Sequence, residues 1–329
     1  MFFSIVIPTY NRKPILEKCL RAMEHQVVRS NSSSEDSAGD ATKSHAAEGY
    51  EIEGYEIVLV DDGSTDGTVE WIQSHANEFP HVVLYEQNHE GAAIARNFGV
   101  QQAKGDTIIF IDSDLVVLED FLQYHADALA TAYAQGNERV FTYGRVVNTC
   151  NFEAPTSEPF KVTDYSRAFF ATGNVAIAKK WLTEAGLFDP QFTQYGWEDL
   201  ELGVRLKNMG LSLIKCPEAV GYHWHPAFSV EELPKLIDQE IQRARMGVVF
   251  YQKHPTFNVR MMIQMTWLHK VLWGVLSLGG LLNEKTLGPT LRWLIDKGYP
   301  QLSQELSRVF LNWYNVNAVH DAYREAKSS

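Results

Sequence analysis

Along the first 114 residues short apolar runs of strand length alternate with segments of helical character. Phe2–Ile7 is a short β-branched run ended by Pro8. Pro14–Gln26 follows with Ile15, Leu16, Cys19, Leu20 and Met23 at helical spacing. Glu56–Val60 reads as a second strand, Val69–Asn77 as a helix capped by Asp66 or Thr65, His81–Tyr85 as a third strand and Gly91–Ala103 as a third helix. Thr107–Ile111 is a fourth strand, so nearly apolar that both faces are expected to be buried. This alternation predicts an α/β fold with a mainly parallel sheet flanked by helices. Ser30–Gly54, rich in Ser, Ala, Gly and acids and without periodicity, reads as a mobile insert.

Beyond residue 115 the order changes to a helix over Glu119–Gln135, a strand over Arg139–Val147, a Pro-containing loop, and strand and helix elements up to Pro226. From Val230 onward the pattern is helical, with aromatic-rich segments at 241–252, 260–280, 288–297 and 301–326. The boundary is therefore placed near residue 226, between an α/β domain (1–226) and a helical C-terminal region (227–329). The longest apolar run, Trp267 to Leu282, is only about 16 residues and contains His269 and Lys270. It is too short for a span and reads as a buried or interfacial helix.

Composition narrows the chemistry. The 329-residue chain has a net charge of −12, which argues against nucleic acid as a partner. Residues 226–329 hold 12 Lys/Arg against 9 Asp/Glu, about +3, which leaves about −15 for the first 225. An acidic half that handles a phosphorylated substrate would need a cation to offset the repulsion. Three scattered cysteines make neither a disulfide framework nor a zinc site, and point to a reduced, cytoplasmic compartment. The apolar N-terminus has no basic segment before it and reads as a strand, not a signal peptide.

The polar residues that end the strands carry the candidate chemistry. Asp112-Ser113-Asp114 follows the fourth strand, and two carboxylates one residue apart on a turning backbone can face one hard cation. Asp61-Asp62-Gly63-Ser64 follows the second strand. A carboxylate there can accept from a base imide or a ribose hydroxyl, and Gly63 lets the backbone turn close to a ligand. Ligands bind at such C-terminal strand ends in open parallel sheets. Neither Gly-x-Gly-x-x-Gly nor Gly-x-x-x-x-Gly-Lys-Ser/Thr occurs, which removes nicotinamide enzymes of that type and P-loop NTPases. Pro8-Thr9-Tyr10-Asn11 stands where nucleotidylyl transfer would need a Gly-rich, basic loop.

Four segments in this order and spacing resemble the family-2 glycosyltransferases of GT-A fold. They are Ile5-Val6-Ile7-Pro8-Thr9-Tyr10-Asn11, Val60-Asp61-Asp62-Gly63-Ser64-Thr65-Asp66, Gly91-Ala92-Ala93-Ile94-Ala95-Arg96-Asn97 and Ile111-Asp112-Ser113-Asp114. Thr172-Gly173-Asn174, Gly186-Leu187-Phe188-Asp189 and Tyr195-Gly196-Trp197-Glu198-Asp199-Leu200-Glu201-Leu202 are similar to the acceptor half of galactosyltransferases and bacterial chondroitin polymerases. The resemblance covers about residues 2–226; the insert and the helical tail depart from it. It implies an inverting glycosyltransferase that uses Mn²⁺ or Mg²⁺ and a nucleotide-sugar donor, UDP favoured over GDP, with a saccharide or lipid-linked acceptor. A nucleotide-sugar-binding module that has lost turnover is the alternative.

Carried onto this chain, the resemblance implies that Pro8, Tyr10 and Asp62 hold the base, with Tyr10 stacking on it. Arg96 would contact the diphosphate or sugar, Asp112 and Ser113 the donor's hydroxyls, and Asp114 the metal. Asp199 is the first choice for the base that deprotonates the acceptor, and Glu198 would bind the acceptor. His223 is expected to complete the metal shell, with His225 second. Trp197 and Trp224 fit either stacking on a sugar or core packing. The apolar C-terminal helices, with Arg243, Arg245, Lys253, Arg260 and Lys270 nearby, fit two roles. One is peripheral docking at the inner face of a membrane; the other, which the pattern favours, is packing on the chain or on a second copy.

Overall fold

The computed structural model describes residues 1–28, 51–161, 164, 166 and 168–328, so residues 30–50 of the expected insert lie outside the described residues. The chain divides into two compact units, Met1–Asp189 with Asp199–His225, and Pro190–Glu198 with Pro226–Ser329.

The first unit is built on one eight-stranded sheet. Its strands are β1 (Phe2–Thr9), β2 (Gly54–Asp61), β3 (Val82–Glu86), β4 (Thr107–Ile111), β5 (Leu115–Val117), β6 (Val140–Thr149), β7 (Asn174–Ala178) and β8 (Ser212–Trp224). They lie in the order β3-β2-β1-β4-β7-β6-β8-β5. β1 to β4 pair in parallel, β7 runs antiparallel to β4 and to β6, and β8 is parallel to β6. The helices are α1 (Lys13–Glu24), α2 (Thr68–Ser74), α3 (Ala92–Gln102), α4 (Phe121–Ala134), α5 (Lys179–Ala185) and α6 (Glu198–Asn208).

Successive residues of each inner strand face opposite sides, and the two sides make two cores. Ile5, Ile7, Ile57, Leu59, Ile109 and Ile111 pack with α1 and α4. Val6, Val58, Val60, Ile108 and Phe110 pack with α3, α5 and α6. α1 buries the expected stripe of Ile15, Leu16, Cys19, Leu20 and Met23. α3 approaches β1 through Gly99, where a Cβ would come within 2.5 Å of Val6.

Two local expectations are corrected, and one strand was not foreseen. Gly67, at φ 78°, is the N-cap of α2, and Asp66 instead accepts from the Thr68 backbone and hydroxyl. Pro8 does not end β1; it lies past the last residue paired to β4, Val6, so its missing N–H costs no bond of that ladder. β5, three residues long, is too short for a periodicity to reveal.

The second unit contains α7 (Leu233–Lys253), α8 (Phe257–Met262), α9 (Trp267–Leu276), α10 (Glu284–Asp296) and α11 (Pro300–Ser328). Leu233, Leu291 and Phe310 form its core. The single helix expected over 260–280 is two: Gln264 at φ 58° ends α8, and the Thr266 hydroxyl caps α9 by accepting from His269 N. Trp197, also at positive φ, is buried here; its Nε1 donates to Arg243 O at 2.8 Å, which makes it a packing residue.

Candidate active site

The C-terminal ends of β1, β2 and β4 converge with the end of β8. β5 makes the last of these arrivals possible: Leu115 pairs with His223 across an antiparallel ladder, and Trp224 N donates to Asp114 O at 2.9 Å. His223 Nε2 then lies 3.1 Å from Asp114 Oδ1. Asp112, Asp114 and His223 each offer a ligand atom within 4.8 Å of the others. Two carboxylates and an imidazole at that spacing fit a divalent cation such as Mn²⁺ or Mg²⁺.

Electrostatics bind this cluster together. Burial pushes the Asp114 carboxyl up, but the hydrogen bond and charge of His223 and the charge of Arg12 outweigh it and hold the group below the usual carboxylate range. Burial pushes His223 down, and the hydrogen bond and charge of Asp114, with the charge of Asp112, more than reverse this. The imidazole therefore favours its protonated form beside the acids, and a divalent ion would take the place of that proton. Arg12, which the sequence reading passed over, lies 3.8 Å from Asp114 at the start of α1. The buried Arg96 donates to Asp112 Oδ1 at 2.8 Å from α3, so it positions that carboxylate. Ser113 is buried in the turn, where Leu115 N donates to Asp112 O.

The adjacent acids after β2 have different tasks. Asp62 accepts from Gln87 Nε2, Glu90 N and Gly91 N, and His89 Nδ1 lies 2.8 Å from its second oxygen. Those three donors come from the β3–α3 loop and its ends, so Asp62 ties that loop down, and His89 Nδ1 also lies 3.1 Å from Asp62 O. Asp61 Oδ2 accepts from Gly63 N and Ser64 N in a turn that Gly63 makes at φ 80°. Its Oδ1 is buried with no hydrogen-bond partner among the described residues. Asp61 thus keeps one acceptor without a protein donor, where both oxygens of Asp62 have donors.

Tyr10, exposed at the exit of β1, stacks on His89 with centroids 4.1 Å apart; Pro8 is buried in the strand before it. Asn11, at φ 51°, clasps the loop after β2: its Oδ1 accepts from Thr65 N, and its N donates to Ser64 Oγ. The sequence places His89, with Asn88, between the third strand and the third helix but assigns it no role, since an isolated loop histidine carries no pattern.

A pocket of about 370 Å³ opens beside the cluster, with Asp112, His223, Thr172, Gly173, Tyr143 and Asp199 in its lining. Asp199, in the first turn of α6, therefore shares one cavity with two of the three cation-site residues. Glu198 opens α6 and groups with the helical unit. His225 is not in the cluster; its Nδ1 lies 3.5 Å from Cys150 Sγ. Asn174 is buried in the sheet, where it donates to Ala219 O and Arg145 O. Trp224 meets Phe152 edge-on at 5.4 Å.

The acidic cluster and the pocket lined by Asp199 lie at the C-terminal ends of a mostly parallel sheet, where such folds bind their ligands. The family model "Glycosyl transferase family 2" matches residues 4–184, and "Glycosyl transferase family group 2" matches residues 107–295. The chain belongs to glycosyl transferase family 2. It is 25% identical to a hyaluronan synthase of Pasteurella multocida over 77% of this chain and 28% of that protein. It is 26% identical to a chondroitin synthase of Escherichia coli over 72% of this chain and 37% of that one. The chain thus spans about a third of the length of these two relatives. The mannosyltransferase PcManGT of Pyrobaculum calidifontis, solved with GDP-Man and Mn²⁺, has the same GT-A fold. It aligns at a TM-score of 0.54 over 95% of this chain and 86% of that one, with 18% identity.

Proposed function

We propose that this chain is a metal-dependent inverting glycosyltransferase that moves a sugar from a nucleoside-diphosphate donor to a hydroxyl of a saccharide or lipid-linked acceptor. The observation that carries this reading is the grouping of Asp112, Asp114 and His223 beside a pocket that Asp199 also lines. Asp112, Asp114 and His223 would hold the divalent cation, and Arg96 keeps Asp112 aimed at it. When bound, the cation supplies positive charge to the departing diphosphate.

Asp61 offers its unpartnered oxygen to the base or ribose, and Tyr10 offers a face for stacking once His89 yields its place. Asp199 takes the proton of the acceptor hydroxyl as that oxygen bonds to the anomeric carbon and the bond to the diphosphate breaks. Attack from the side opposite the leaving group inverts the centre.

Calorimetric titration of UDP and of GDP, with and without Mn²⁺, tests the donor site on the wild type and Asp114→Ala. Binding of UDP that requires Mn²⁺ and disappears in the variant is expected. Failure of both nucleotides to bind with any divalent ion would overturn the reading. GDP is the comparison because the mannosyltransferase of similar fold holds GDP-Man.

A further inference from the structure

The helical unit turns its most apolar element outward. Leu268, Val271, Leu272 and Val275 recur along α9 at the spacing of one helix face, which a surface helix ordinarily buries. No residue of α9 is buried; Trp267 is 74% exposed, Val275 67% and Leu281, just beyond, 69%. The inward side is carried by His269, Trp273 and Gly274. Trp273 Nε1 donates to Gln264 Oε1 at 2.6 Å, the Thr266 hydroxyl lies 2.7 Å from His269 Nδ1, and Gly274 and Gly280 admit the Trp313 ring. Exposed Phe257, Met261 and Met262 on α8 add to the apolar surface. A monomer rarely leaves so continuous an apolar patch uncovered.

Charge identifies the cover. Between Glu240 and Glu284 the sequence has no acidic residue and five cations, Arg243, Arg245, Lys253, Arg260 and Lys270, in a chain of net charge −12. Arg260 and Lys270 are exposed on the very helices that carry the apolar side chains. A two-fold contact between copies through this face would set cations against the same cations, with no acid in the stretch to neutralise them. Anionic headgroups supply that missing counter-charge.

We propose that the α8–α9 face docks on an anionic lipid surface. Trp267, Leu268, Val271 and Val275 enter the headgroup boundary, and Arg260 and Lys270 extend to the phosphates. The indole of Trp267 suits that boundary, being apolar with one polar edge. Among the described residues no helix is long and apolar enough to cross a membrane, so the contact is peripheral. The proposal rests on the helical unit alone and is independent of the donor-site reading.

Sedimentation of the full chain with vesicles tests it, using phosphatidylcholine alone and phosphatidylcholine mixed with phosphatidylglycerol. Binding is expected on the anionic vesicles, weakened by salt, and about fivefold weaker for each of Arg260→Gln and Lys270→Gln. The double variant Leu268→Glu/Val275→Glu should lose binding while keeping its circular dichroism and melting temperature, because both positions are exposed. No binding of the wild type to anionic vesicles, or binding that the double variant retains, overturns the proposal. Sedimentation velocity without lipid supplies the other arm. A wild-type dimer that the double variant converts to monomer assigns the face to a second copy and also overturns it.

Discussion

Two histidines of the α/β unit, one reaching β6 from α4 and one on the paired strand β8, show how partners rather than burial decide what an imidazole does. His125 on α4 is fully buried between Thr142 Oγ1 at 2.7 Å and Asn174 Oδ1 at 2.9 Å. Asn174 spends its Nδ2 on Ala219 O and Arg145 O, so its oxygen must accept and His125 Nε2 must carry the proton. No carboxylate offsets the burial, which drives the pKa down to about 4 despite the Asn174 hydrogen bond. His223 on β8 is also pushed down by burial, yet Asp114 and Asp112 hold it above its ordinary value. The first ring is a neutral strut beside the register shift at Gly144/Arg145; the second is biased toward its protonated form by the acids beside it.

That contrast can be broken at several points, beginning with the chemistry it serves. Asp199→Asn is expected to lower the turnover rate by about 10²–10⁴, with Mn²⁺-dependent nucleotide binding unchanged in titration. Asp114→Ala should weaken that binding by at least about a hundredfold, whereas His125→Gln should leave it within about twofold. Urea unfolding should report the reverse order. His125→Ala is expected to cost about 3 kcal/mol, by leaving a gap and unpaired Thr142 and Asn174 groups, and His223→Ala much less.

The pH responses run in opposite directions. The folded pKa of His125 lies below its unfolded value of about 6.5, so stability is full above pH 6.5. It is lost as pH falls, by about 3 kcal/mol once the pH is below 4, and a variant without the ring should lack this slope in urea titrations. For His223 the folded pKa is raised, so the pairing with Asp114 is fully present below about pH 6.5 and fades as pH rises through the folded value. Stabilisation by Mn²⁺, read from melting temperature, should grow over that same rise, because the metal needs the neutral ring. Among the site variants the smallest loss is expected from Arg96→Met, about tenfold in metal affinity, through loss of the hydrogen bond that aims Asp112.

The sequence by itself determined what depends on neighbours along the chain. Short apolar, β-branched runs placed β1 and β4 and a period of 3.6 placed α1, because each depends only on neighbours along the chain. It also placed acids at strand ends, where a parallel sheet opens to ligands. Only the tertiary structure told the two neighbouring acids apart. Asp61 and Asp62 are alike in sequence, and the β3–α3 loop gives Asp62 its donors while an oxygen of Asp61 has none among the described residues. The meeting of His223 with Asp114 needed β5, whose three residues carry no period and whose partner lies about a hundred residues away. Trp197 became core and α9 kept its apolar face outside for the same reason: a helical pattern marks which residues share a face, and what stands opposite that face is set by long-range packing.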